Sequence, residues 1–121
     1  MQQFLILLYA DESQFEKLTE AEMKSALAEF ARYNEELAKS GVLKHGEQVM
    51  PSKLTKTLSM ERGEIKATDG PFIESKEQMG GYYVLEVESQ EQAIEWAKKC
   101  PLLYSGSIEV RALIPRPETS A

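Results

Sequence analysis

The apolar positions of this chain change period along its length. Phe4 to Tyr9 is a short unbroken apolar run, the pattern of a strand covered on both faces. Asp11 to Phe15 reads as a polar connection. Thr19-Glu20-Ala21-Glu22 then has the form of a capping box, a hydroxyl and a carboxylate three residues apart that can satisfy free amide groups. Behind it Met23, Leu27, Phe30, Asn34 and Leu37 recur at three- and four-residue steps, widened by Ala26 and Tyr33. That spacing predicts an amphipathic helix of about five turns. Gly41, after Lys39-Ser40, is its expected stop.

The middle of the chain alternates. Val42 to Val49 holds one short strand, and Pro51 ends it. Leu54, Lys56, Leu58 and Met60 alternate with Thr55, Thr57, Ser59 and Glu61, which is strand-like. Arg62-Gly63 makes a tight turn, and Glu64 to Thr68 returns as the partner strand. Further on, Tyr82 to Glu88 is a strand with Tyr83, Leu85 and Val87 on one face. Ser89 with Gln92 offers a second capping box. Ala93, Ile94, Trp96 and Ala97 mark a short helix that Pro101 terminates. Ser107 to Ile114 is the last strand, with Ile108, Val110, Ala112 and Ile114 facing one way. From Pro115 onward, and over 116–121 in particular, a frayed tail is expected, which leaves 1–115 as the single domain.

With the hairpin set aside, this order predicts an α+β fold of the ferredoxin-like, split βαβ kind with an inserted β-hairpin. Such a sheet carries helices on one face, so the other face is polar if it meets water. Here that face is mixed: Glu109 and Arg111 alternate with core residues, while Tyr82, Val84 and Leu113 belong to the same outward set. A partner sheet packed over it, with a cavity between, accounts for the mixture. A homodimer is therefore expected.

Composition narrows the functional classes. At 121 residues the chain makes one domain, able to bury roughly 65% of its unfolded surface. It is 42% hydrophobic and 28% charged, ordinary for a soluble protein, and no apolar run approaches the ~20 residues that span a bilayer. No basic region or small-residue cleavage site accompanies Phe4 to Tyr9, so no secretory signal is read there and a cytoplasmic location is the default. The net charge of −6, with lysines scattered among glutamates, argues against nucleic acid as the main partner. Cys100 stands alone and reads as a packing residue. One Cys, one His and no ligand-like carboxylate spacing give no metal site, and no cofactor is implied.

Candidate chemistry gathers around one connection and the last strand. Asp69 is a candidate proton carrier, since desolvation in a cleft raises a carboxylate pKa toward a useful range; the alternative is a cap on its own turn. Glu74, Lys76 and Glu77 form either a charged rim for a small polar ligand or a solvated surface. Phe72 is read as a hydrophobic plug for the loop. Gly80-Gly81 gives backbone freedom at the start of the following strand. A phosphate cradle is rejected, because a strand and not a helix follows. Glu109 and Arg111 share a strand face, and the Arg111 fork is suited to grip a carboxylate bidentately; the alternative is an ion pair with a neighbouring strand or subunit. The hydroxyls of Tyr9 and Tyr82 are candidates for the same cavity. His45 is the one side chain that titrates near neutrality unperturbed, read as solvated at a strand end.

Asp69-Gly70-Pro71-Phe72, followed by Glu74, Lys76-Glu77 and Gly80-Gly81-Tyr82, resembles the signature of DGPF-domain proteins of the YCII-related family. The likeness runs on through Leu5 to Tyr9 with Asp11-Glu12, Gly41-Val42-Leu43, Glu95-Trp96-Ala97 with Cys100-Pro101, and Gly106 to Arg111. It covers essentially the whole chain. The resemblance implies a ferredoxin-like subunit in a dimeric α+β barrel. Members with this signature are often encoded beside extracytoplasmic-function sigma factors, which implies a link to sigma-factor regulation. The wider superfamily implies lyase-type chemistry on aromatic rings, with a His-Asp pair proposed for proton transfer. The sole histidine, His45, does not match that pair. Two functional classes follow: a dimeric module that binds a metabolite or regulatory partner, or a small acid–base enzyme working in the inter-sheet cavity.

Overall fold

The computed structural model describes residues 1–117, so most of the tail expected over 116–121 lies outside the described residues. Strand β1 (Gln2–Ala10) leads to helices α1 (Glu12–Glu16) and α2 (Glu20–Ser40), then β2 (Leu43–Gln48). A hairpin of β3 (Lys56–Glu61) and β4 (Glu64–Asp69) follows, then β5 (Gln78–Val87), α3 (Gln90–Lys98) and β6 (Gly106–Ala112). Single 3-10 turns sit at Ser52–Leu54 and Pro101–Tyr104. The chain is a mixed α+β structure with antiparallel sheets.

Asp11 to Phe15 is not a plain connection. The Asp11 carboxylate accepts from the Ser13 amide at 3.0 Å and from its hydroxyl at 2.7 Å. These bonds hold the Asp11 carboxyl below its usual range and start α1 as an N-cap. In α2 the capping box forms as expected: the Glu22 amide donates to the Thr19 hydroxyl at 3.1 Å, and the Thr19 amide to the Glu22 carboxylate at 2.9 Å. Gly41, at φ 81, ends the helix in the left-handed conformation. Of the expected stripe, Tyr33 and Leu37 are buried and Met23, Ala26 and Phe30 half-buried, whereas Leu27 faces solvent. The second capping box is half made. Ser89 accepts from the Gln92 amide at 3.3 Å, but the Gln92 side chain takes its bond from Glu88 and not Ser89.

The main sheet has the order β2-β5-β1-β6, with every adjacent pair antiparallel. One face packs against the helices. Phe4, Ile6, Leu8 and Ala10 of β1 and Leu85 and Val87 of β5 meet Tyr33 and Leu37 of α2 and Ala93 and Ala97 of α3. Full burial of each larger side chain stabilises by about 1.5–3 kcal/mol. The Tyr33 hydroxyl donates to the Trp96 carbonyl at 2.9 Å, tying α2 to α3, and its ring meets Tyr83 edge-on at 5.7 Å. Cys100 closes this core, and burial pushes its thiol up to about 11.

Three strand boundaries differ from expectation. β5 starts at Gln78, so Gly80 and Gly81 lie inside a strand, and the register against β1 shifts between Leu8 and Tyr9, where Gly80 is the extra residue of a bulge. β3 starts at Lys56, with Leu54 in the preceding turn. β6 ends at Ala112, and both Ala112 and Ile114 are exposed instead of facing the core. Gly106, at its start, lies against β1 so closely that a Cβ there would stand 2.1 Å from the Tyr9 carbonyl oxygen.

Candidate functional site

Opposed residues of an antiparallel ladder share a face. The registers therefore line up two rows across all four strands on the side away from the helices. One row runs His45, Val84, Leu5, Arg111; the next runs Glu47, Tyr82, Leu7, Glu109. Leu5, Leu7, Tyr82 and Val84 are half-buried by one another with no layer above them. Strands lie about 4.8 Å apart, so roughly 14 Å of apolar floor separates the imidazole edge from the guanidinium edge.

At the β6 edge, Nη2 of Arg111 donates to both carboxylate oxygens of Glu109, at 3.3 and 3.2 Å. The Tyr9 hydroxyl is hydrogen-bonded to the same carboxylate, which raises its pKa. Bonds from Tyr9 and Arg111 in turn hold the Glu109 carboxyl below its ordinary range. Next along the strand, the Ser107 hydroxyl donates to Glu77 at 2.9 Å. The result is a polar strip in which Arg111 keeps guanidinium N–H groups beyond those spent on Glu109.

At the β2 edge, the register slips between Leu43 and His45. Lys44 is the extra residue of a bulge, a device that re-aims side chains. Leu43 packs on the core, and without the slip His45 would share its side. Instead His45 Nδ1 sits 2.8 Å from the Tyr82 hydroxyl, with Nε2 at 3.7 Å from Glu47. Sequence reading placed His45 as a solvated end residue and missed this pairing. Alternation alone could not find it, because the bulge breaks the alternation.

The structure brings together Tyr9, Glu109 and Arg111, and Tyr82 lies on the same face. It puts the other candidates elsewhere. Asp69 ends β4, its side chain 83% exposed, and pairs across the hairpin with the Lys56 ammonium; it neither caps its own turn nor bonds to Arg111. Glu74 and Lys76 project from the exposed connection, where Lys76 lies near enough to Asp11 to help lower its pKa. Phe72 is 82% exposed, so it does not plug the loop. Its ring lines a groove of about 580 Å³ with Met50, Leu54, Leu58, Pro71 and Met79.

Among the described residues, no group of three His, Cys, Asp or Glu side chains is placed to hold a metal ion. No helix there is long and apolar enough to cross a membrane.

A relative of this chain, an uncharacterized protein of Rhizobium meliloti (strain 1021), is 29% identical over 112 residues, covering 91% of this chain and 90% of that one. The sequence pattern of the YCII-related domain matches residues 2–116, from the first residue of β1 to beyond β6. The match spans the open sheet face, both of its polar edges and the hairpin: the chain belongs to the YCII-related family.

Proposed function

We propose that this protein is a dimeric binding module for a small organic carboxylate with an apolar or aromatic body. The observation that carries this reading is the pair of rows across the open sheet: an apolar floor ending at Arg111. A floor of Leu5, Leu7 and Val84 suits a hydrocarbon or ring. The remaining guanidinium donors of Arg111 suit a carboxylate, which takes paired N–H bonds. Glu109 holds the guanidinium in place, and Tyr9 in turn bonds the Glu109 carboxylate. The sheet order β2-β5-β1-β6, with the hairpin set aside, supports a ferredoxin-like subunit. A second sheet over the half-buried floor would make the dimeric α+β barrel and exclude water from the ligand.

A second reading, acid–base chemistry on the bound acid, has one specific observation in its favour. The His45–Tyr82 contact puts an imidazole at the far end of the same rows. Asp69 is not on this face of its own subunit.

Light scattering and calorimetry against a panel of small aromatic and keto acids test the reading. We expect a dimer at micromolar concentration and at least one acid that binds wild type tenfold or more tightly than Arg111→Ala. Equal binding to both proteins, or a monomer throughout, overturns it.

A further inference from the structure

The β3–β4 hairpin is amphipathic, and nothing among the described residues covers its apolar face. The register pairs Leu58 with Ala67 and Met60 with Ile65 on one side, and Thr57 with Thr68, Ser59 with Lys66 and Glu61 with Glu64 on the other. That is the alternation of a sheet packed on one face and wet on the other. Yet Leu58 is 68%, Met60 65% and Ile65 72% exposed. Two strands alone are marginally stable in water. The tight Arg62-Gly63 turn, both residues at positive φ (51 and 82), fixes the register but covers no side chain. At the base, the groove beside Phe72 and Leu54 extends the uncovered surface.

The same chain presents a second apolar surface without a layer over it, the sheet floor of Leu5, Leu7 and Val84. Two such surfaces on one molecule, each lacking its cover, are what a two-fold contact satisfies: the arm of each copy meets the floor of the other. Charge agrees. Residues 56–69 carry three cations against three carboxylates in a chain of net charge −6, so the arm is a neutral segment that escapes the repulsion between two acidic bodies. Leu54, Leu58, Met60, Ile65 and Phe72 are each more than half exposed, and since a stable contact buries about 800 Å² per partner, arm and floor together are the larger surface available to reach it.

We infer that the occupant of the arm's apolar face is a second copy of this chain, and that each arm crosses to form part of the roof over the partner's open sheet. Lys56 and Asp69 are opposed on the same side of the hairpin as Leu58 and Ala67, so the crossing brings that ion pair to the rim of the other copy's floor. The binding site is then incomplete in one chain. The inference rests on the dimeric reading above but commits to a particular contact within it.

The test combines Met60→Lys with Ile65→Lys, two positions that single-chain folding leaves in water. Hydrogen exchange of the Thr57 to Thr68 amides is followed alongside, in wild type, at two protein concentrations. The expected result is a double variant with wild-type circular dichroism whose dimer dissociates at concentrations tenfold or more above those that dissociate wild type. Wild-type hairpin amides are expected to be protected at micromolar concentration and to lose that protection on dilution. A double variant as dimeric as wild type, with hairpin amides that exchange fast at every concentration, overturns the crossing and leaves the dimer and its ligand site standing. A wild-type protein that is monomeric throughout, with or without another protein bound at the arm, overturns both.

Discussion

In the four-stranded sheet, Phe4, Ile6, Leu85 and Val87 point toward two helices and lose nearly all contact with water. In the β3–β4 hairpin, Leu58, Met60 and Ile65 follow the same period of two and keep most of theirs. The local rule is obeyed in both places; what differs is whether the chain folds anything back over the apolar side. A hydrophobic pattern says which side of a strand wants cover. It does not say whose residues supply it. The main sheet poses both cases at once, since its helix side is covered from within and its other side, with Leu5, Leu7 and Val84, is not.

The contrast breaks most readily at single buried or exposed leucines. Leu85→Ala, in the core, should lose about 2–5 kcal/mol in urea unfolding. Leu58→Ala, measured where the protein is monomeric, should change stability by no more than about 0.5 kcal/mol. A comparable loss at both would erase the distinction between packed sheet and free arm.

Gly106→Ala sharpens the comparison within the sheet. Its Cβ would meet the Tyr9 carbonyl oxygen at 2.1 Å, and that backbone cannot yield as a side chain would. A loss of about 1–3 kcal/mol is expected, together with weaker ligand binding, because Tyr9 and Ser107 are paired directly beside it. Wild-type stability in this variant would mean that β1 and β6 lie further apart at this point than the 2.1 Å approach requires.

Alkaline titration gives a smaller effect, and it comes mainly from the core. Burial pushes Cys100 from 9.0 to about 11 and Tyr83 from 10.0 to about 12, and raises Tyr33 further. Groups raised on folding hold protons that the unfolded chain has released, so stability falls with rising pH between the unfolded and folded values. The melting temperature should hold to near pH 9 and decline by several degrees, about 4–8 °C per kcal/mol lost, as pH climbs toward 11. Cys100→Ala should decline less steeply. A flat profile to pH 11 would place these groups in water and not in the core.

The sequence was most legible where two independent local signals agreed. For α2, a capping box and a 3.6-residue stripe pointed to the same element, and both are present. It was less legible at short elements. Asp11 to Phe15 has too few residues to show a helical period, and only the Asp11–Ser13 bonds reveal its start. Leu27, Ala112 and Ile114 fit apolar patterns, yet they lie where no second layer reaches them. Gly80-Gly81 looked like a hinge before a strand, and register alone makes Gly80 a bulge within it. The polar strip was half legible. Glu109 and Arg111 share a face by simple alternation, and Tyr9 was placed as a candidate for the same cavity; Ser107 with Glu77 and His45 with Tyr82 are meetings between distant segments. Asp69, by contrast, drew attention through its neighbours in sequence, whereas its partner in space is Lys56.

The bulge at Lys44 makes β2 a strand with two reading frames. Before it, Leu43 belongs to the core; after it, His45 belongs to the open face, although two residues apart would ordinarily mean one side. A one-residue deletion there differs in kind from any substitution. It would make Leu43 and His45 neighbours, so plain alternation would keep Leu43 in the core and His45 beside Tyr82 with no bulge between them. A substitution of Lys44 leaves the bulge in place. The length of this segment, counted in residues, thus carries information that the identity of no single residue in it does.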